Sequence, residues 1–218
     1  MKCFTVRQIE NTYTCRTRSC NSFCATLHFL TFRRQLHAVF NDSTVNDTIN
    51  FAPSLAGQTI IMTSGELPIV AGSGTLTING LGADQLSVSG NNQSRIFRVL
   101  GGANLTFNNL TVTGGASSLG GGILNQGVLT INNSAVTDCS SSGFGGGIAS
   151  FGPVTINKSS VSSNFAQNAG GLVIIDTTLL SITDTTFSNN TTIFQGSAIN
   201  LFRITEATLT NSNISGNM

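Results

Sequence analysis

Charge is what this chain most lacks. Only 9% of its 218 residues are Asp, Glu, Lys or Arg, against about a quarter in a typical soluble domain. Apolar content is ordinary at 39%, and low charge with ordinary hydrophobicity is the reverse of the balance that keeps a chain disordered. Ten basic and nine acidic residues leave a net charge of +1, so no electrostatic footprint points to nucleic acid or anionic lipid. No run of 18 apolar residues is present, so no segment reads as a membrane-spanning helix. The opening MKCFTVRQIENTYTCRTRSC is too polar for the apolar centre of a secretory signal. The helix formers Glu and Lys are scarce while Thr, Ser, Asn and Ile are abundant, which argues against helical repeats.

What is abundant is periodic. LTINGLGADQL from Leu76, LTFNNLTVTGG from Leu105 and LTINNSAVTDC from Leu129 align with VTINKSSVSSN from Val154, LSITDTTFSNN from Leu180 and ATLTNSNISGN from Ala207. The starts are 29, 24, 25, 26 and 27 residues apart. The third column reads Ile78, Phe107, Ile131, Ile156, Ile182, Leu209, always large and apolar; the second is always Thr or Ser. Such alternation is a strand with one buried face. Val112, Val136, Val161, Phe187 and Ile214 form another inward column, and Ile123, Ile148, Leu172 and Ile199 a third after the glycine clusters. Each repeat therefore predicts about three short strands separated by bends. Propeller blades need roughly 40–45 residues, so a matching 24–29-residue unit is one turn of a parallel β-helix: an all-β solenoid of roughly six to seven turns over residues 45–218.

Two asparagine ladders are expected. Asn79, Asn108, Asn132 and Asn157 share the fourth column, where stacked amides bond one another along the axis and inward placement gives them partners in both neighbouring turns. Asn also tolerates the left-handed backbone of a sharp bend. Cys139, Asn164, Asn190 and Asn217 form the second column. Gly120, Gly121, Gly122, Gly145, Gly146, Gly147, Gly170 and Gly171 supply positive φ and close approach between turns about 4.8 Å apart. Asp176 and Arg203 occupy one column in successive turns and read as a structural ion pair.

DTINFAPSLAGQTIIMTSGELPI (residues 47–69), LTINGLGADQLSVSGNNQSRIFRV and the GGGI…LTINNS units together resemble the secreted right-handed parallel β-helix proteins of bacteria, with repeats similar to those of polymorphic outer-membrane proteins and a pectin-lyase-like fold. The resemblance covers residues 45–218. It implies a right-handed coil and a parent protein that is secreted or on the cell surface. Family members begin with a signal peptide and a short Leu-Arg-(Glu/Gln)-Ala-Ile helix. Here only Arg34-Gln35-Leu36-His37-Ala38-Val39 echoes that helix, and the last residues fall inside a repeat, so a C-terminally truncated fragment is expected.

Residues 1–44 stand outside the pattern and read as a leader or cap, unstructured or with one short helix near residues 32–40. They hold Cys3, Cys15, Cys20, Cys24 and both His, at spacings that match a zinc site poorly. No metal, cofactor or catalytic residue is assigned. The acids from residue 49 onward (Glu66, Asp84, Asp138, Asp176, Asp184, Glu206) do not share a column, and no His accompanies them, whereas a glycosidase needs paired carboxylates. Phe144, Phe151, Phe165 and Phe194 lie in or near bends, read first as caps on the core and second as rings that stack on sugars. The functional expectation is a non-catalytic surface rod in adhesion, display, or glycan or partner binding, with end-to-end self-association of the open coil. The alternative is a piece of a polysaccharide lyase or hydrolase whose catalytic coils lie outside this chain.

Overall fold

A computed structural model of the chain describes residues 5–9, 12–16, 46–71, 74–177 and 179–218, the first two segments as backbone alone. From residue 46 onward the chain winds through about six coils, and every strand pairs in parallel with its counterparts in the neighbouring coils. The coil Val154–Asn157, Ser160–Ser162, Phe165–Asn168, Leu172–Ile175 stacks on Val128–Asn132, Ala135–Thr137, Ser140–Phe144, Ile148–Ser150. Leu76 pairs with Leu105, Leu105 with Leu129, Leu129 with Val154, Val154 with Leu180, and Leu180 with Ala207. This is the register of the sequence repeat at every step.

The inward columns make one continuous core. Ile78, Phe107, Ile131, Ile156 and Ile182 have no exposed surface, and neither do Val88, Val112, Val136, Val161 and Phe187. Burying each is worth about 1.5–3 kcal/mol, and these columns join in one core cluster that runs through the coils. The rings of Phe97 and Phe107, both fully buried, stack with centroids 6.0 Å apart.

Three features depart from the sequence expectation. The first is a fourth sheet, Ala116–Leu119, Ser140–Phe144, Phe165–Asn168 and Thr191–Gln195, which begins only in the third complete coil. Its Ser- and Gly-rich strands carry no apolar alternation, and a register shift interrupts each pairing. The second concerns the bends. From Asn108 onward the residue after the ladder position makes this bend, not the ladder residue itself: Asn109, Asn133, Lys158, Asp184 and Asn211 are left-handed, with φ of 47–55°. The third is at the N-terminus. Strands Thr5–Ile9 and Thr12–Arg16 pair antiparallel, and the second lies parallel to Asp47–Phe51, extending the first sheet. The helix expected near residues 32–40 lies outside the described residues.

Glycine placement follows from how closely the coils approach. A Cβ on Gly121 would be driven into the carbonyl oxygens of Ser140 and Gly146, and one on Gly146 into those of Phe165 and Gly170. Gly120 and Gly145 bend with φ of 63° and 66°. These turns fold over the outward-facing Leu124, Ala149 and Val173, which form a small second core with Ala169.

Candidate functional site

Among the described residues, three structural ladders, two clusters of charged groups and a groove stand out. In the first ladder Nδ2 of Asn79 donates to Oδ1 of Asn50 at 2.8 Å, Asn108 to Asn79 at 2.7 Å, Asn132 to Asn108 at 2.9 Å and Asn157 to Asn132 at 3.0 Å. The chain is as expected with one more rung, Asn50, in the lead-in segment. Its setting is not. Ile131 is the inward neighbour, and Asn132 is half-buried on the outer side at the strand end.

The second ladder is the interior one. Asn164 and Asn190 have no exposed surface. Asn164 donates from its backbone N–H (3.1 Å) and Nδ2 (2.9 Å) to Oδ1 of Asn190, which bonds Oδ1 of Asn217 in the same way at 3.0 and 2.9 Å. Each amide also donates to a backbone carbonyl of the preceding coil, 28 to 30 residues back: Asn164 to Val136, Asn190 to Val161, Asn217 to Phe187. Cys139 begins the ladder. Its backbone N–H donates to Oδ1 of Asn164, its sulfur accepts from Gly115 N–H, and burial pushes its thiol up to about 12.

A third ladder was not read from the sequence. The hydroxyls of Ser134, Ser159, Thr185 and Ser212 accept from the backbone N–H of Leu110, Ser134, Ser159 and Thr185, one coil earlier, and each donates to the carbonyl two residues before it. The signal was present as a hydroxyl column two residues after the Asn column, hidden by the general abundance of Ser and Thr.

Among the described residues, charged groups meet in two places. Arg203 and Asp176 form a two-point pair, Nε to Oδ1 and Nη2 to Oδ2 at 2.6 Å, with both residues in the left-handed region (φ 49° and 52°). The hydrogen bond from Arg203 holds the Asp176 carboxyl below its ordinary value, and the same bond raises the guanidinium. The expected rung is therefore present. The other cluster was missed: Glu66 contacts Arg95, and Arg98 approaches its second oxygen at 3.6 Å. Glu66 and Arg95 are 29 residues apart, the spacing of Asn50 and Asn79 in the same two coils, and that offset could have paired them. Arg95 is deeply set, and burial lowers its pKa while Glu66 opposes the shift.

Beside the Asp176–Arg203 pair lies a groove of about 280 Å³, lined by Phe144, Ile175, Phe202 and Arg203. Phe144 and Phe202 are each 39% exposed. The four phenylalanines read first as core caps are all partly in solvent, up to 66% for Phe194: Phe144, Phe165 and Phe194 occupy exposed positions of the fourth sheet, and Phe151 sits in a bend. Chemically the groove offers two aromatic surfaces and a charge-neutral pair with both donor and acceptor capacity. Among the described residues no three His, Cys, Asp or Glu side chains come together to hold a metal ion. No helix among them is long and apolar enough to cross a membrane. The Cys and His side chains of the N-terminal 45 residues lie outside the described side chains. Comparison with protein-family models, curated proteins and solved structures finds no match.

Proposed function

We propose that this chain is part of a non-catalytic β-helix rod, secreted or displayed at a cell surface, that binds a neutral glycan along its outer face. The observation that carries the reading is the groove: half-exposed rings of Phe144 and Phe202 flank the Asp176–Arg203 pair. Pyranose C–H faces stack on such rings, and sugar hydroxyls both donate and accept, as this pair does. Because Arg203 is already matched by Asp176, the groove gives an acidic sugar no unpaired cation to favour it. The rigid coil holds these groups in fixed register, which lowers the ordering cost of binding.

Saturation-transfer NMR with panels of neutral and uronate-containing oligosaccharides tests this. Neutral saccharides should bind, and Phe202→Ala should weaken binding by roughly 2- to 12-fold, the equivalent of the 0.5–1.5 kcal/mol of an aromatic contact. Absence of binding by every saccharide, or binding unchanged in Phe202→Ala, would refute the site. The same reading includes association of the 218-residue polypeptide through Glu206–Thr210. This edge strand is exposed throughout, and Leu209 is 43% exposed where its column is otherwise buried. A sedimentation coefficient independent of concentration would count against that part.

A further inference from the structure

The fourth sheet starts abruptly, and its first strand, Ala116–Leu119, is an edge with no strand beside it in the preceding coil. Between later coils each turn is held by two successive amides donating to two successive carbonyls. Gly120 and Gly121 N–H donate to Phe144 and Gly145 at 2.9 and 3.1 Å, and Gly145 and Gly146 N–H to Asn168 and Ala169, both at 3.0 Å. Leu119 is the register partner of Phe144, so Leu119 and Gly120 carry the equivalent carbonyls in the first turn of the sheet. No strand precedes them to supply the amides. The side chain of Arg95 supplies donors instead: Nε–H reaches Gly120 O at 3.0 Å and Leu119 O at 3.2 Å, and Nη2–H reaches Leu119 O at 2.8 Å and Ser117 Oγ at 2.7 Å. The remaining terminal nitrogen, Nη1, is taken by Glu66 from the coil below.

We propose that Arg95, clamped by Glu66, is the edge cap of the fourth sheet, its guanidinium standing in for the two amides of an absent strand and so defining the coil at which the solenoid gains its fourth side. A guanidinium suits the task because its planar fork presents several N–H groups in a fixed geometry. An unprotected edge of this kind would leave carbonyls in want of donors and the turn free to fray. The neighbouring backbone agrees, since Ala116 N–H donates to Ser94 O at 3.1 Å, tying the start of the same strand to the segment that carries Arg95.

Hydrogen–deuterium exchange on the full chain, read peptide by peptide, tests the assignment. Arg95→Met keeps the length and apolar stem of the side chain but removes every donor. It should speed exchange at Ala116 and at Gly120, Gly121 and Gly122 by tenfold or more, while amides of the coils from Val154 onward keep their rates. Arg95→Lys, with a single ammonium, should give an intermediate acceleration. Glu66→Gln should give a smaller local acceleration, and this variant reads the same contact if Arg95→Met does not fold. Unchanged exchange in this turn would overturn the proposal, and so would an equal acceleration across all coils, which would make Arg95 a general contributor to stability and not an edge cap.

Discussion

Replacing Asn190 by Leu removes the centre of the buried ladder while nearly conserving volume. Oδ1 of Asn190 accepts from both the backbone N–H and Nδ2 of Asn164, and its own Nδ2 donates to Val161 O at 2.8 Å and to Asn217. Leucine leaves three groups without these partners: the Asn164 backbone N–H, one Asn164 Nδ2–H and the Val161 carbonyl. Oδ1 of Asn217 keeps the Asn190 backbone N–H. Asn164 is wholly buried, so water cannot replace the lost bonds without opening the coil. At about 1–3 kcal/mol for each unsatisfied group, partly offset because the leucine itself has no amide to desolvate, the expected loss is about 3–5 kcal/mol. For a chain of this size that lowers the melting temperature on the order of 10 °C. Asn132→Leu is the matched comparison. It also breaks two amide–amide bonds, but its half-buried position lets water satisfy the stranded groups, and the expected cost is about 1 kcal/mol or less. Thermal and urea unfolding followed by far-UV circular dichroism report both variants without needing tryptophan. Equal shifts, or a larger one for Asn132→Leu, would refute the distinction between a buried and a half-buried ladder.

Other outcomes follow from single residues. Lys158 holds a left-handed bend with φ of 48° where neighbouring coils use Asn133 and Asp184; Lys158→Asn should raise stability by about 0.5–1 kcal/mol, measured by urea unfolding, because Asn accepts this conformation more readily. A double-mutant cycle at Asp176 and Arg203 should show favourable coupling that weakens with added salt. The folded-state pKa of Asp176 is lowered, chiefly by its hydrogen bond from Arg203, so the coupling is present above the ordinary carboxylate pKa and lost as pH falls through the lower folded value. Persistence of the coupling in strong acid would contradict the pairing. With its thiol buried and pushed up to about 12, Cys139 should resist alkylation near neutral pH at a rate set by local opening, read by mass spectrometry of its peptide; prompt modification in the native state would show that the coil is looser than its packing implies.

The charge clusters show why some of the site was hidden. Asp176 and Arg203 were legible because each lies four residues after an inward column, Leu172 and Ile199, inside the regular repeat. Glu66 and Arg95 obey the same stacking rule, but they lie in coils whose loops differ from the consensus, so the eye had no column to follow. The Phe144–Phe202 groove joins residues 58 positions apart from two different sheets, and nothing in a repeat alignment says which bends fold outward.

By itself the sequence determined the coil and its register, since period-two alternation and a 24–29-residue repeat admit one stacking in which every apolar column is buried. It also determined that the asparagine columns would bond along the axis, because identical amides stacked one strand spacing apart lie within donor–acceptor reach of one another. Tertiary structure alone decided which ladder is wholly buried and which is half-exposed, as a residue at a strand end can turn to either side of the wall. It alone decided that a fourth sheet begins at Ala116, with Arg95 completing its edge. Serine- and glycine-rich segments carry no apolar periodicity, so their conformation is set by the amides and carbonyls that the neighbouring coils present.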